Sequence, residues 1–382
     1  MERFCERCER ISVDGHLWCQ EIDCPAEEGF PVFSYGDYLG DLKITKLITV
    51  WRTAALYEAQ RGDQTVWVKV AHAGPECEER LKREAVLLAM LNPTRTGGLN
   101  DWRAKPRPLL PVWLPPYPVP SKRPYGEITF DGETKIYSVC EPLPGTLLSD
   151  LLLTNPHVWH YEAAWVTTTL AEALKPLAAR NLLHLSLTPD RVIVEIDQDG
   201  HWRATLLDLG WLLNAAGTAA GAEAAALKEL AERSEPAYTA PEVLARNGAA
   251  SALTPAADVY ALGLLFYEML SGHPAFEPKL RRDELVSRAV VQTRAAPPID
   301  RPELIQAGVI KVLEKAIAPV AAERYATLQE FERAITAIYG PQPKEKRPLP
   351  RRTIVLLWML VALLAVTLCV TSFLLAQVWL GS

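Results

Sequence analysis

The amino-acid sequence predicts an α+β protein with a strand-rich first lobe and a helical second lobe. A small cysteine-rich segment precedes the lobes, and an apolar helix follows them. Three observations predict this arrangement. Alternating apolar and polar residues, typical of strands, concentrate before about residue 141, whereas helical apolar spacing dominates after it. Four of the seven cysteines lie within the first thirty residues, and the stretch 353–382 carries no charge.

The composition is that of a folded protein. Apolar residues make up 49% of the 382-residue chain and charged residues 23%, so a core can be buried and general disorder is excluded. At this length we expect two or three structural units. The formal net charge of −6 argues against a nucleic-acid partner, because such proteins rely on a basic surface.

The cysteine-rich segment, residues 1–30, resembles a small zinc ribbon. Two residues separate its first pair of cysteines and four separate its second pair, and two such pairs can place four thiolates around one structural zinc ion. The predicted ligands are Cys5, Cys8, Cys19 and Cys24. His16 is an alternative ligand, and two disulfides or free thiols are the alternatives to zinc. A reducing cytoplasm disfavours the disulfides. Residues 31–44 are expected to link this segment to the lobes.

The residues between 45 and 338 carry the predicted lobes. TVWVKV at 65–70 alternates as a strand does, and ECEERLKREAVLLAML at 76–91 has helical spacing. A proline-dense stretch, 106–124, is expected to give a strand and then a stiff surface excursion. The remaining predicted strands are 135–141, 191–196 and 202–207, and the remaining predicted helices are 159–180, 222–233, 256–271 and 303–317.

Short motifs follow one another through these lobes in a specific order. They are Lys69 in VWVK, Glu84 in REAVLLAML, HLSLTPDR at 184–191, Asp208-Leu209-Gly210, Ala240-Pro241-Glu242, Asp258 with YALG at 260–263, and Arg324 in AAERYATLQEF. Each motif is weak alone, but the ordered set resembles the eukaryotic-type protein kinase family, which includes bacterial Ser/Thr kinases. The resemblance covers residues 45–338 and implies a bilobal protein-kinase-like fold.

The resemblance also implies roles for individual residues. Lys69 matches the strand lysine that holds the α- and β-phosphates of ATP, and Glu84 matches the helix glutamate that pairs with it. Asp208 matches the aspartate that binds Mg²⁺, so ATP and Mg²⁺ are the implied cofactors. Glu242 and Arg324 match a structural ion pair. Two alternatives remain open, because Lys69 and Glu84 can form a purely structural pair and Asp208 can simply cap the next turn.

Several positions depart from the family pattern. Ser186 stands where the catalytic aspartate is expected, and a hydroxyl cannot accept a proton at neutral pH without a base of its own. Arg191 stands where an asparagine would hold a metal ion, and its charge would repel the cation. Trp51 stands at one of three positions where glycines normally let the backbone approach phosphates. No residue is therefore predicted to be catalytic, and Asp190 is an alternative base.

These departures favour a pseudokinase that relays signals by binding or conformation and still binds ATP through Lys69, Glu84 and Asp208. One alternative is an active Ser/Thr kinase with a rearranged site, because alignment of a substrate alone can sustain slow transfer. A second is a scaffold that binds no nucleotide and recruits protein partners through the ribbon and the proline-dense stretch.

The final segment predicts a membrane anchor. Residues 353–380 are long enough, at about 1.5 Å per residue, to cross the ~30 Å hydrocarbon layer with some tilt. A linker at 339–352 is rich in basic residues and proline, and basic residues flanking a span stay on the cytoplasmic side. No apolar stretch opens the chain, so no signal peptide is expected. The sequence thus predicts a single-pass membrane protein with a cytoplasmic kinase-like domain.

Overall fold

The structure is a computed structural model that describes only part of the chain. It describes residues 2–4, 11–12, 29–91, 109–117, 123–130, 132–196, 200–214, 228, 230–231, 234–245, 253–276, 289–292, 296–341 and 359. The four cysteines of the predicted zinc ribbon and the predicted membrane-spanning segment, apart from Met359, lie outside these residues. No helix within the described ranges is long and apolar enough to cross a membrane.

Two compact units divide the chain, the first comprising Met1–Thr94 and Pro108–Gln342 and the second Arg95–Arg107 and Pro343–Ser382. Apart from Met359, every described residue belongs to the first unit. The elements below therefore all belong to the first unit.

The amino-terminal half of the first unit is a lobe of antiparallel strands with one long helix. Its elements are β1 (Glu2–Phe4), β2 (Ile11–Ser12), β3 (Phe30–Val32), β4 (Tyr38–Leu39), β5 (Leu42–Val50), β6 (Ala54–Arg61), β7 (Gln64–Ala71), α1 (Pro75–Leu91), β8 (Trp113–Leu114), β9 (Gly126–Phe130) and β10 (Glu133–Cys140). The main sheet has the order β4-β5-β6-β7-β10-β8, with β9 also paired to β10. A separate sheet has the order β2-β1-β3.

The structure confirms the strands predicted at 65–70 and 135–141 and the helix predicted at 76–91. Strand β7 contains the first of these, and β10 contains the second except for its last residue, Glu141. The two strands are neighbours in register, with Ser138 opposite Lys69. In the proline-dense stretch, β8 supplies the expected strand, pairing Leu114 with Val139. Lys69 thus lies in the middle of the sheet, where its side chain is buried.

The carboxyl-terminal half is mainly helical. Its elements are β11 (Thr146–Leu147), α2 (Leu148–Thr154), α3 (His160–Ala178), β12 (Leu182–Leu183), β13 (Val192–Ile196), β14 (Trp202–Leu206), β15 (Leu213–Asn214), α4 (Pro241–Leu244), α5 (Ala256–Ser271), α6 (Pro302–Ala307), α7 (Val309–Ala316) and α8 (Leu328–Tyr339). Strands β11, β13 and β14 form one small sheet, and β12 and β15 form another. The beta-rich first lobe and the helical second lobe confirm the predicted α+β class.

Helix α5 is the centre of the second lobe. Apolar residues lie on all faces of this helix, and nearly the whole helix is buried, as expected for a core helix. A Cβ atom at Gly263 would lie only 2.7 Å from Cγ2 of Ile317, so this glycine permits close packing of α5 against the end of α7. The framework that carries the site is therefore rigidly packed.

One predicted helix is wrong and another is only partly described. The stretch 303–317 forms two helices, because Gly308 adopts a left-handed backbone with φ of +77° that ends α6 and begins α7. Helical spacing continues across Gly308, so periodicity alone did not reveal the break. The helix predicted at 222–233 lies mostly outside the described residues.

Candidate functional site

The predicted lysine, glutamate and aspartate meet between the sheet and the second lobe. Lys69 extends from β7, Glu84 from α1, and Asp208 follows β14. The Lys69 ammonium donates hydrogen bonds to Oε2 of Glu84 and, at 2.6 Å, to Oδ1 of Asp208. These three residues are 6%, 3% and 2% exposed respectively. The structure thus brings these three predicted side chains together.

Helix α1 places Glu84 in the site because one face of the helix is apolar. Cys77, Leu81, Ala85 and Leu88 are buried at helical spacing, and Glu84 lies beside them. Its second oxygen, Oε1, accepts a hydrogen bond from the backbone N–H of Leu209 at 3.1 Å. Glu84 therefore contacts Lys69 within the first lobe and links the backbone after Asp208 to that lobe.

Arg191 completes the cluster from the second lobe. It ends a short 3₁₀ turn, Pro189–Arg191, and its Nε donates to Oδ2 of Asp208 at 2.7 Å. One terminal nitrogen donates to the Thr188 hydroxyl, also at 2.7 Å. Each carboxylate oxygen of Asp208 therefore accepts a hydrogen bond from a cationic side chain. The cluster holds two buried cations and two buried carboxylates, so its charges balance without an added ion.

The two cations also set the protonation of the cluster. Burial alone would raise the pKa of Asp208, but the positive charges of Lys69 and Arg191 hold this pKa well below its usual range. Burial alone would lower the pKa of Lys69, and the carboxylates of Asp208 and Glu84 instead keep it above the ordinary value. Asp208 is thus a carboxylate and Lys69 an ammonium at neutral pH.

In this arrangement a divalent cation on Asp208 would compete with two nitrogen donors. Such an ion would need oxygen ligands, whereas both oxygens of Asp208 are already hydrogen-bonded to nitrogen donors. Among the described residues, no group of three or more histidine, cysteine or acidic side chains could hold a metal ion.

The backbone of the loop before Arg191 is held by hydrogen bonds, and the loop lacks a carboxylate at the predicted base position. Leu185 has a φ of +60°, and Asp258 holds it by accepting hydrogen bonds from the backbone N–H groups of Leu185 at 2.8 Å and His184 at 2.9 Å. Ser186 is 2% exposed, and its hydroxyl has no hydrogen-bond partner among the described residues. The Asp190 carboxylate accepts a hydrogen bond from the Thr188 hydroxyl. Neither Ser186 nor Asp190 is therefore arranged as an activated base.

Trp51 covers the ammonium of Lys69. The indole is 3% exposed, its ring centroid lies 4.9 Å from Nζ of Lys69, and its N–H donates to the carbonyl oxygen of Asp190 at 3.3 Å. It lies in the turn between β5 and β6, where the resemblance would place a glycine. An aromatic side chain thus occupies space next to Lys69 that a phosphate-binding loop would leave open.

An apolar cluster continues from Trp51 between the lobes. The first lobe contributes Leu56 and Trp67 to this cluster, and the second lobe contributes Leu147, Ile193 and Leu207. Trp67 is 6% exposed, although it precedes Lys69 by only two residues. The side chains of the protein itself therefore fill the space beside the charged cluster.

Farther from the cluster, the predicted structural ion pair is present. The guanidinium of Arg324 donates to both oxygens of Glu242, each at 2.8 Å, and lies 4.5 Å from the ring centroid of Tyr260. The bidentate geometry joins α4 to the turn before α8.

His72 was not singled out by the sequence, because a lone histidine after a strand carries no motif. Its side chain hydrogen-bonds to the carbonyl oxygen of Trp51 at 2.8 Å.

Comparisons with known proteins support the resemblance to the protein kinase family. A family model described as the protein kinase domain matches residues 127–334, more than half of the chain. The serine/threonine-protein kinase DCLK3 of Mus musculus is 25% identical over 214 residues, which are 55% of this chain and 24% of that protein.

Two bacterial proteins are similar over comparable lengths. The serine/threonine-protein kinase drp72 of Corynebacterium efficiens is 29% identical over 215 residues, which are 56% of this chain and 38% of that protein. The serine/threonine-protein kinase PknB of Mycobacterium leprae is 26% identical over 211 residues, which are 55% of this chain and 31% of that protein. The matched region therefore spans less than two fifths of each of these three relatives.

Proposed function

Because the chain belongs to the protein kinase domain family, we propose that it is a pseudokinase, a kinase-like signalling protein that acts by binding rather than by transferring phosphate. The observation that carries the proposal is the position of Arg191. Its guanidinium binds the carboxylate of Asp208, the residue that the family resemblance assigns to the metal ion.

Phosphoryl transfer depends on positioning and on neutralising charge, and metal ions supply much of that neutralisation. Here a metal ion on Asp208 would have to compete with Lys69 at one oxygen and with Arg191 at the other. Lys69 would keep its hydrogen bond to Glu84, whereas a displaced Arg191 would lose its hydrogen bond to a buried carboxylate, which costs several kcal/mol. The cluster thus favours its own metal-free state.

The second requirement is a base that accepts the proton of the attacking hydroxyl. Ser186 has no carboxylate, and its hydroxyl is buried without a partner among the described residues. Asp190 is the alternative base, but its carboxylate is bound to the Thr188 hydroxyl and its backbone carbonyl to Trp51. These contacts favour the pseudokinase over an active kinase with a rearranged site.

The filled cleft favours a second candidate, a scaffold that binds no nucleotide. Trp51 and Trp67 belong to a buried cluster that joins the two lobes beside Lys69. A nucleotide would have to displace these indoles, each of which buries a large apolar area. The two candidates share the absence of phosphate transfer and differ only in whether ATP binds.

The test measures transfer of the γ-phosphate from ATP to the chain itself and to generic Ser/Thr substrates, with Mg²⁺ or Mn²⁺. We expect the same low signal from the wild-type chain and from the Asp208→Asn variant. Turnover by the wild-type chain that the substitution abolishes would refute the proposal. Thermal unfolding with and without ATP separates the two candidates, because a stabilisation lost in Lys69→Ala would show that nucleotide binds.

The remaining parts of the proposal concern the flanking segments. We place the kinase-like domain in the cytoplasm, on a single-pass membrane anchor at 353–380, because that stretch is uncharged and follows a basic linker. The four amino-terminal cysteines are proposed to hold a structural zinc ion. Protein partners are expected to bind this assembly at the membrane surface.

A further inference from the structure

The turn between β5 and β6 is tightly closed and connects the two lobes. The N–H of Trp51 donates to the carbonyl oxygen of Ala54 at 2.8 Å. Trp51 then reaches the second lobe through its indole N–H, which donates to Asp190, and Arg52 does so through a hydrogen bond to the carbonyl oxygen of Ser234 at 3.3 Å. The conformation of this turn therefore decides whether the indole lies over Lys69.

His72 fixes that turn from two sides. Its backbone N–H donates to the carbonyl oxygen of Thr53 at 3.0 Å, and its ring Nε2 donates to the carbonyl oxygen of Trp51 at 2.8 Å. The histidine directly follows β7 and is 4% exposed. His72 thus holds two of the three residues of the turn, Thr53 through its backbone and Trp51 through its buried side chain. Hydrogen bonds of this kind are strong in a site that excludes water.

The amino-terminal sheet fixes His72 in turn. The ring of Phe30 stacks on the imidazole with centroids 4.4 Å apart and planes inclined by 6°, and the ring of Phe4 lies 6.0 Å away at 12°. Phe4 of β1 and Phe30 of β3 are opposite each other in that sheet. Stacked rings at such separations attract each other beyond their burial of apolar area.

We infer that the amino-terminal sheet regulates the cleft, because Phe4 and Phe30 hold His72, which holds the turn that keeps Trp51 over Lys69. The device is an autoinhibitory cover: while the sheet is in place, an anionic ligand such as a nucleotide phosphate has no access to the ammonium. Release of the sheet frees the turn, and the indole leaves Lys69. The inference rests on the proposed function and deepens it by naming what controls the same cleft.

The experiment measures backbone hydrogen exchange on the full-length chain and on three variants. Phe30→Ala removes the stacked ring, and His72→Phe keeps a ring for stacking but loses the hydrogen bond to Trp51. Phe33→Ala is the control. Phe33 is a buried phenylalanine of the first lobe that packs on Tyr57 and Phe130, whereas Phe30 is partly buried and stacks on His72.

We expect the amides of Trp51 and His72 to exchange about tenfold faster in Phe30→Ala and His72→Phe than in the wild-type chain, the effect of losing one well-placed contact. The control is expected to leave these two amides nearly unchanged. Slow exchange in α5 verifies that each variant is folded. If Phe30→Ala does not fold, the exchange of the Trp51 and His72 amides in His72→Phe tests the inference.

Unchanged exchange in His72→Phe, or equal acceleration in Phe33→Ala, would overturn the inference. Because exchange is read without ATP, this result is independent of the transfer assay. Detected phosphate transfer would refute the pseudokinase and leave the exchange data standing, whereas unchanged exchange would refute the cover alone.

Discussion

The Nε atom of Arg191 lies 2.7 Å from Oδ2 of Asp208, while Nζ of Lys69 lies 2.6 Å from Oδ1 of the same carboxylate. All three side chains are almost completely buried. Two cations from the protein therefore neutralise a carboxylate that the resemblance assigns to a metal ion. The contact between Arg191 and Asp208 is the observation on which the proposed loss of metal binding rests.

The first prediction concerns the buried hydroxyl of Ser186. Because it lacks a partner among the described residues, Ser186→Ala should leave the free energy of unfolding unchanged or raise it by up to about 1 kcal/mol. Thr188→Val is the control, since the Thr188 hydroxyl bonds to Asp190 and Arg191, and it should cost about 1–2 kcal/mol. Urea unfolding checks both values, and a larger loss in Ser186→Ala than in Thr188→Val would contradict this reading.

The second prediction concerns the ion pair between Arg324 and Glu242. The side chain of Arg324 is fully buried and makes two hydrogen bonds to the carboxylate, so Arg324→Met should cost about 3 kcal/mol of stability. Lys175 and Glu332 form a half-exposed pair at 2.6 Å, and Lys175→Met should cost at most about 1 kcal/mol. Equal losses in the two variants, measured by denaturant unfolding, would show that the first pair is not a structural clamp.

The third prediction concerns pH. Burial lowers the pKa of His184 to about 4, so the folded protein keeps this side chain neutral while the unfolded chain protonates near pH 6.5. Its contribution is present above pH 6.5 and is lost as the pH falls towards 4. When the pH is lowered from 7.5 to 4.5, the free energy of unfolding of the wild-type chain should fall by about 2–3 kcal/mol more than that of His184→Phe.

The comparison of the two proteins isolates His184, since other titrating groups are shared. Asp258 is one such group: burial raises its pKa to about 6, against hydrogen bonds from Leu185 and His184. Its contribution has the opposite sign, being present at low pH and lost as the pH rises through 6. A stability difference that stays constant between pH 7.5 and 4.5 would mean that His184 does not titrate as stated.

The fourth prediction concerns the amino-terminal cysteines. The purified chain should contain about one zinc ion, and Cys8→Ser should abolish tight binding because it removes one of four thiolate ligands. Cys140, which lies at the end of β10 and forms no disulfide, provides the control: Cys140→Ser should leave the metal content unchanged. Elemental analysis checks both, and a wild-type chain without zinc would contradict the ribbon assignment.

Much of the site was predictable because its residues occupy ordered motifs. Lys69, Glu84 and Asp208 come together as the resemblance implied, since a strand, a helix and a loop of fixed order carry them. For Arg191 only the sign of its effect was predicted, namely repulsion of a cation. The contact with Asp208 depends on the local 3₁₀ turn and on burial, which residue type alone does not reveal.

Contacts without a motif were not predictable. His72 bonds to Trp51 across a turn and stacks on Phe30, and such long-range contacts leave no periodic pattern in the sequence. Gly308 interrupts an apolar pattern that continues on both sides, so one helix was predicted where two exist. Strands β7, β10, β13 and β14 and helix α5 were predicted well because burial of one face, or of the whole element, produces a repeating pattern. Strands β5, β6 and β9 were not predicted.

The most direct test of the central claim is a titration with Mn²⁺ in the presence of ATP, followed by electron paramagnetic resonance, on the wild-type chain and on Arg191→Asn. The account predicts no metal bound at the cleft of the wild-type chain and about one Mn²⁺ bound by the variant. A further Asp208→Asn substitution should remove this metal from the variant. Stoichiometric Mn²⁺ binding by the wild-type chain that is lost in Asp208→Asn would contradict the account, because it would show that Arg191 does not exclude a metal ion from Asp208.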